Sequence, residues 1–121
     1  MNIGEARFGP AMVLYPDGRL DQDTATAFQE RLLAALGGDC KGVVVDFNKV
    51  PYISSVGLRA IMIAAKQSKA DGISLSVSDL TPTVKEIFEI SRFNFVVSVN
   101  ESLRDALAAV SGDALSAYES A

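Results

Sequence analysis

The chain contains no histidine. That absence removes the commonest general base, and with it the usual Ser-His and Cys-His nucleophile pairs and the His-containing zinc sites. Cysteine occurs once, at Cys40, so no internal disulfide can form and a reducing compartment is expected. No apolar run approaches the ~20 residues of a membrane span. The opening stretch Asn2 to Arg7 is polar and is not a basic region leading into an apolar core. No secretory signal is therefore expected, and the location reads as cytoplasmic with no membrane partner. Basic residues are also few, with Lys+Arg 11 against Asp+Glu 15 and a formal net charge of −4. They are scattered singly among carboxylates, which argues against nucleic acid as a partner. What remains, 121 residues of which 49% are hydrophobic, suits one compact domain.

Glycine and proline divide the chain into short alternating segments. Ile3 to Phe8 and Met12 to Tyr15 read as strands around Gly9-Pro10, and Pro16-Asp17-Gly18 reads as a turn. Asp21 or Asp23 is expected to cap a helix whose apolar positions Ala25, Phe28, Leu32 and Leu36 follow helical spacing up to Gly37-Gly38. The continuous β-branched run Gly42 to Phe47 has the pattern of a central strand buried on both faces. A second helix is expected from about Ser55 to Ala70, and Ile73 to Val77 alternates as a strand with a more polar side. Thr81 and Pro82 open a third helix, Phe95 to Val97 reads as a last strand, and Asn100 is expected to cap a final helix that ends at Ser111-Gly112. The fold class is thus α/β, a mixed sheet of about five strands with about four helices. Residues 1–111 are expected to form the domain and 112–121 a flexible C-terminal tail.

Chemistry concentrates at the junction between the central strand and the second helix, where Ser54 and Ser55 stand side by side. Either hydroxyl suits an N-cap, worth ~1 kcal/mol and needing no further role. The same place, a helix N-terminus beyond the carboxyl end of a parallel strand, is also where ligands and anions collect. A phosphoserine there would add about −1.5 to −2 charges at a positive dipole end. Projected at 100° per residue, Leu58, Ile61, Met62 and Ala65 form the core stripe of this helix, while Val56, Ala60 and Ile63 fall on the other side. That second apolar face is either covered by a neighbour or presented to a partner. Asp21, Asp23 and Asp46 read as structural carboxylates, and Cys40 reads as an inert thiol. No glycine-rich phosphate cradle is present, and no cofactor or metal is expected.

These residues carry a family resemblance. Val43-Val44-Val45-Asp46-Phe47, then Val50-Pro51-Tyr52-Ile53-Ser54-Ser55, then Gly57-Leu58-Arg59, resemble the STAS domain of the bacterial anti-sigma-factor antagonists. Gly18-Arg19-Leu20-Asp21 looks like the family's Gly-x-Leu-Asp segment, and the Leu80 to Phe95 stretch looks like its third helix and final strand. The resemblance implies a regulator that is no enzyme: it binds an anti-sigma factor that is a serine kinase, is switched off when that kinase phosphorylates a loop serine, and is restored by a PP2C-type phosphatase. The best-known antagonists carry Asp-Ser-Ser/Thr-Gly-Leu, and aligning on Gly57-Leu58 puts their acceptor column at Val56. In the variant with Ser-Ser, one further residue and then Gly-Leu-Arg, the second serine is the natural acceptor. The implied acceptor is accordingly Ser55, then Ser54. The implied partner surface comprises Asp21, Asp23, Ser54, Ser55, Val56, Gly57, Arg59, Ala60 and Ile63. The resemblance also admits a non-phosphorylated STAS scaffold within a larger complex.

Overall fold

The computed structural model describes all 121 residues. Strands β1 (Asn2–Phe8) and β2 (Ala11–Asp17) form an antiparallel hairpin about Gly9-Pro10. Helix α1 (Ala25–Leu36), strand β3 (Gly42–Asp46), helix α2 (Ser55–Asp71), strand β4 (Ser74–Ser78) and helix α3 (Pro82–Ile90) follow in alternation. A 3₁₀ turn (Phe93–Phe95), strand β5 (Ser98–Asn100), and helices α4 (Leu103–Val110) and α5 (Gly112–Glu119) complete the chain. The sheet order is β1-β2-β3-β4-β5, with β2 to β5 parallel.

That order decides which face each helix covers. Parallel crossovers are right-handed, so successive steps in one direction across the sheet put α1, α2 and α3 on the same face. Leu14, Val43, Val45, Leu75 and Val77 point into that layer and join Phe28, Leu32, Ile61 and Phe88 in the main core. The alternate residues Ala11, Val13 and Val44 point the other way and are sealed by Leu103, Ala106, Leu107 and Ala114 of α4 and α5. Both faces of β3 are therefore buried, as its unbroken apolar run demands. The polar side of β4 is exposed only at its first residue, Ser74: Ser76 and Ser78 are buried on the side of the sheet that α4 covers.

Several boundaries differ from the sequence reading. Strand β2 runs on through Pro16 and Asp17, which pair with Ile3 and Asn2 of β1, so the turn expected over Pro16-Asp17-Gly18 begins only at Gly18. Phe95 to Val97 is not a strand: Arg92 turns the chain at φ +59°, the 3₁₀ turn follows, and β5 begins only at Ser98, level with Ser76. Phe93 fills the core there, 5.8 Å from the Phe88 ring, while Phe95 is exposed. Ser102, not Asn100, caps α4 by accepting the Asp105 N–H. Residues 112–121 do not fray as a whole, because Ser111 accepts the Ala114 N–H and starts α5 rather than ending the chain's order. Ala114 is fully buried, and Tyr118 meets the Phe8 ring edge-on at 5.3 Å. A serine followed by glycine fits a helix start as well as a stop, and Tyr118 supplies the tertiary contact that selects the former. No helix is long and apolar enough to cross a membrane.

Candidate functional site

The segment between β3 and α2 leaves the carboxyl end of the sheet and is tied down on both sides. Phe47 donates its N–H to the Ser78 carbonyl of β4 (2.9 Å), and the Thr81 hydroxyl at the start of α3 donates to the Val50 carbonyl (2.9 Å). On the other side, Gly18 N–H donates to Lys49 O, Leu20 N–H to Tyr52 O and Ser54 N–H to Leu20 O, at 3.0, 3.0 and 2.8 Å. Leu20 and Ile53 thereby form an isolated parallel bridge, and both side chains are buried. Residues on either side of a bridge alternate, so Arg19 and Asp21 share the outward face with Tyr52 and Ser54. The Arg19 guanidinium lies over the Tyr52 ring, 4.5 Å from its centroid, and its Nε is 3.7 Å from Asp21 Oδ2.

The two serines are not equivalent in this frame. Ser54 is the N-cap of α2: it is extended (ψ 175°), half-buried, and its Oγ accepts the Gly57 N–H at 3.4 Å. Ser55 is the first residue of the helix, exposed, with a hydroxyl that makes no hydrogen bond within the chain. Gly57 faces inward. A β-carbon there would stand 2.7 Å from Ile53 Cγ1 and 3.0 Å from the Leu20 carbonyl oxygen, so only glycine lets α2 start this close to the bridge.

The remaining residues of the expected partner surface divide into two groups. Val56 and Arg59 are exposed and Ile63 is half-buried; successive separations of three and four residues put them on one side of α2. Arg59 takes part in none of the four ion pairs of the chain. Ala60, by contrast, is buried in the main core at 1% exposure, about 40° round the helix from Val56, and presents no side chain to a partner. Angular projection places a residue on a helix but does not say which flank a neighbouring helix covers, and α1 packs against α2 here.

Asp21 and Asp23 do not cap α1. Thr24 holds the N-cap position without a side-chain cap bond, and Asp21 instead organises the turn before it, accepting the Asp23 N–H at 3.0 Å. The Thr24 hydroxyl accepts the Asp21 N–H and donates to the Arg19 carbonyl at 2.7 Å, which fixes Arg19 and Asp21 beside the serine loop. Asp23 is exposed. Sequence reasoning gave Arg19, Tyr52 and Thr24 no role. The period-two pattern about Leu20 and Ile53 was the signal, legible only once those two segments are known to pair.

Asp46, at the end of β3, lines a polar cleft of about 440 Å³ with Asn2, Tyr15, Asn48 and Lys49. Burial pushes its carboxyl up, the charge of Asp79 acts in the same direction, and the Asn48 N–H bonded to Oδ1 at 2.8 Å opposes them. A carboxyl raised by folding binds its proton more tightly in the native state. Its contribution is therefore favourable at low pH and is lost as pH rises from the ordinary aspartate value of about 3.9 through the raised one. Asp46→Asn keeps the acceptor for Asn48 and removes the charge. It should melt above wild type at neutral pH, with the gap closing in acid; equal melting temperatures at neutral pH would mean that Asp46 is effectively solvated.

Residues 5–106 match the STAS domain family. A Bordetella bronchiseptica protein, BtrV, provisionally named an anti-sigma factor antagonist, is 36% identical over 92 residues, which cover 76% of this chain and 79% of BtrV. A Thermotoga maritima structure with the same provisional description superposes with a TM-score of 0.83 at 16% identity, over 89% of this chain and 93% of that one. The anti-sigma factor antagonist SpoIIAA in its unphosphorylated form superposes with a TM-score of 0.75 at 15% identity, over 90% and 96% of the two chains. The phosphorylated form of SpoIIAA, from Bacillus, gives 0.68 at 14% identity, over 90% and 99%. The structural likenesses establish the shared fold, and the match over most of the chain establishes the kinship: this protein belongs to the STAS domain family.

Proposed function

We propose that this protein is an anti-sigma-factor antagonist of the cytoplasm, which binds an anti-sigma serine kinase and is switched off by phosphorylation of Ser55. The observation that carries the reading is Ser55 itself, an exposed hydroxyl free of any internal bond at the head of α2, in a loop fixed by hydrogen bonds to residues 18–20, 78 and 81. Ser54 is the weaker acceptor, since it is half-buried and its oxygen serves the cap. The contact face comprises Ser55, Val56, Arg59 and Ile63 with Arg19, Asp21 and Asp23 alongside, and the buried Gly57 and Ala60 shape it from beneath. The relationship to BtrV supports the antagonist role, and the existence of a phosphorylated form of SpoIIAA supports the modification.

In the switching step Ser55 Oγ attacks the γ-phosphorus of ATP held by the kinase. The bond to the β–γ bridging oxygen breaks, the hydroxyl proton passes to a base of the kinase, and ADP leaves. The product carries about −1.5 to −2 charges beside the exposed Val56, where docking would have to strip them of water. Reversal is hydrolysis by a PP2C-type phosphatase: metal-activated water attacks phosphorus, and Ser55 Oγ leaves with a proton.

The test is intact-mass spectrometry with site mapping after incubation with ATP and lysate of the native host. Wild type and Ser54→Ala should each gain one phosphate, and Ser55→Ala none. Ser55→Ala should retain kinase binding and Ser55→Asp should lose it. No phosphate in any sample, while a known phosphoprotein of the same lysate is labelled, would replace this reading with a non-phosphorylated scaffold.

A further inference from the structure

We propose that Arg59 reads the modification: a phosphate on Ser55 closes an intrahelical pair with the Arg59 guanidinium one turn along α2, and so withdraws that cation from the partner-facing surface. The proposal rests on the reading that Ser55 is the residue modified, and it adds a second component to the switch.

Register and unused valence both point to this pair. Helix α2 begins at Ser55, so Ser55 and Arg59 stand at i and i+4, a separation that brings Cβ atoms to about 5–6 Å. Both residues are exposed. Neither is engaged: the Ser55 hydroxyl has no partner, and Arg59 is absent from every ion pair of the chain. Helical side chains point back toward the N-terminus, which carries the guanidinium of Arg59 toward Ser55 rather than away from it. An anion N-terminal to a cation at this spacing is also the order that the helix dipole favours. The hydroxyl alone is too short and too weakly polar to hold the guanidinium, whereas phosphate oxygens extend the reach and accept two parallel N–H bonds from its fork.

Other cations are worse placed. Arg19 is already held between the Tyr52 ring and Asp21. Lys66 lies on the same side of α2 but eleven residues from Ser55, about 16 Å along the axis. Lys49 belongs to the loop and lines the cleft with Asp46 and Tyr15. Arg59 stands between Val56 and Ile63 on the exposed side of α2, so folding it back onto phosphate rearranges the middle of the proposed contact face.

The experiment installs phosphoserine at position 55 during translation, which makes the result independent of any kinase. The ³¹P resonance is then titrated in the otherwise wild-type phosphoprotein and in its Arg59→Gln, Arg59→Lys and Arg19→Gln versions. Pairing stabilises the dianion, so Arg59→Gln should raise the second phosphate pKa by about 0.3 units. Arg59→Lys, which keeps the charge and loses the fork, should fall between the two, and Arg19→Gln should leave the titration where it was. A wild-type titration in Arg59→Gln, or a larger shift in Arg19→Gln than in Arg59→Gln, would overturn the proposal. An unmodified chain in the lysate experiment bears on the functional reading alone, since the titration judges the pair with or without a kinase.

Discussion

Phe47→Ala should lower the stability of the protein by about 4 kcal/mol and its melting temperature by about 15 °C. Phe47 is fully buried at the point where β3 ends and the serine loop begins. Its ring stands 6.4 Å from Phe28 of α1 and 6.1 Å from Phe88 of α3, and Phe88 in turn meets Phe93 at 5.8 Å. Truncation removes the aromatic body from the middle of that chain of contacts and leaves a cavity between two helices that cannot close independently, since each is tied to the sheet. The Phe47 N–H, bonded to Ser78, remains, so the loss is one of packing and not of the backbone anchor. Phe47→Leu, which refills part of the volume, should cost less than half as much. Urea unfolding of the three proteins checks this. A cost below about 1 kcal/mol for the alanine variant would show that the surrounding side chains collapse into the space.

The second large effect is expected at Gly57. Glycine inside a helix is ordinarily a weakness, and replacing it by alanine there gains up to ~1 kcal/mol. Here the sign should reverse, because the added carbon would stand 2.7 Å from Ile53 Cγ1 and 3.0 Å from the Leu20 carbonyl oxygen. Ile53 could turn its side chain, but the Leu20 carbonyl accepts the Ser54 N–H that holds the cap, so it cannot retreat without releasing the bridge. Gly57→Ala should be destabilising despite its better helix propensity. Gly57→Val, with branching at that carbon, should cost about 3 kcal/mol and lower the melting temperature by about 10 °C. Thermal melts of the two variants decide the matter. A melting temperature of Gly57→Ala at or above wild type would mean that the close approach of α2 to the bridge has slack in it.

The parts of this molecule that were legible in the sequence are those fixed by local chemistry. The run Gly42 to Phe47 reads as a doubly covered strand, and hydroxyls following it before an apolar-periodic segment read as a helix start, so the Ser54-Ser55 junction is visible in the sequence. What escaped depends on contacts between distant segments. Thr24 took the cap position expected of Asp21 or Asp23 because its hydroxyl bridges Arg19 and Asp21, which no spacing rule anticipates. Arg19 and Tyr52 meet only because Leu20 pairs with Ile53. Ala60 belongs to a helix face that projection alone leaves open, because a projection shows angles but not neighbours, and the structure buries it in the main core. Ser111-Gly112 looked like an ending because its cap function is realised by α5, a helix whose stability comes from Ala114 and from Tyr118 against Phe8.

The strand order, in which every strand lies beside its neighbours in sequence, has a consequence for how the protein is made. Each βα unit emerging from the ribosome finds its docking edge already formed by the unit before it, so no strand waits for a distant partner and few long loops must close. The hydrogen bonds that shape the serine loop come from residues 18–20, 78 and 81, and none comes from the chain beyond α3. Every anchor of the serine loop is thus synthesised before α4 and α5, the helices that cover the second face of the sheet.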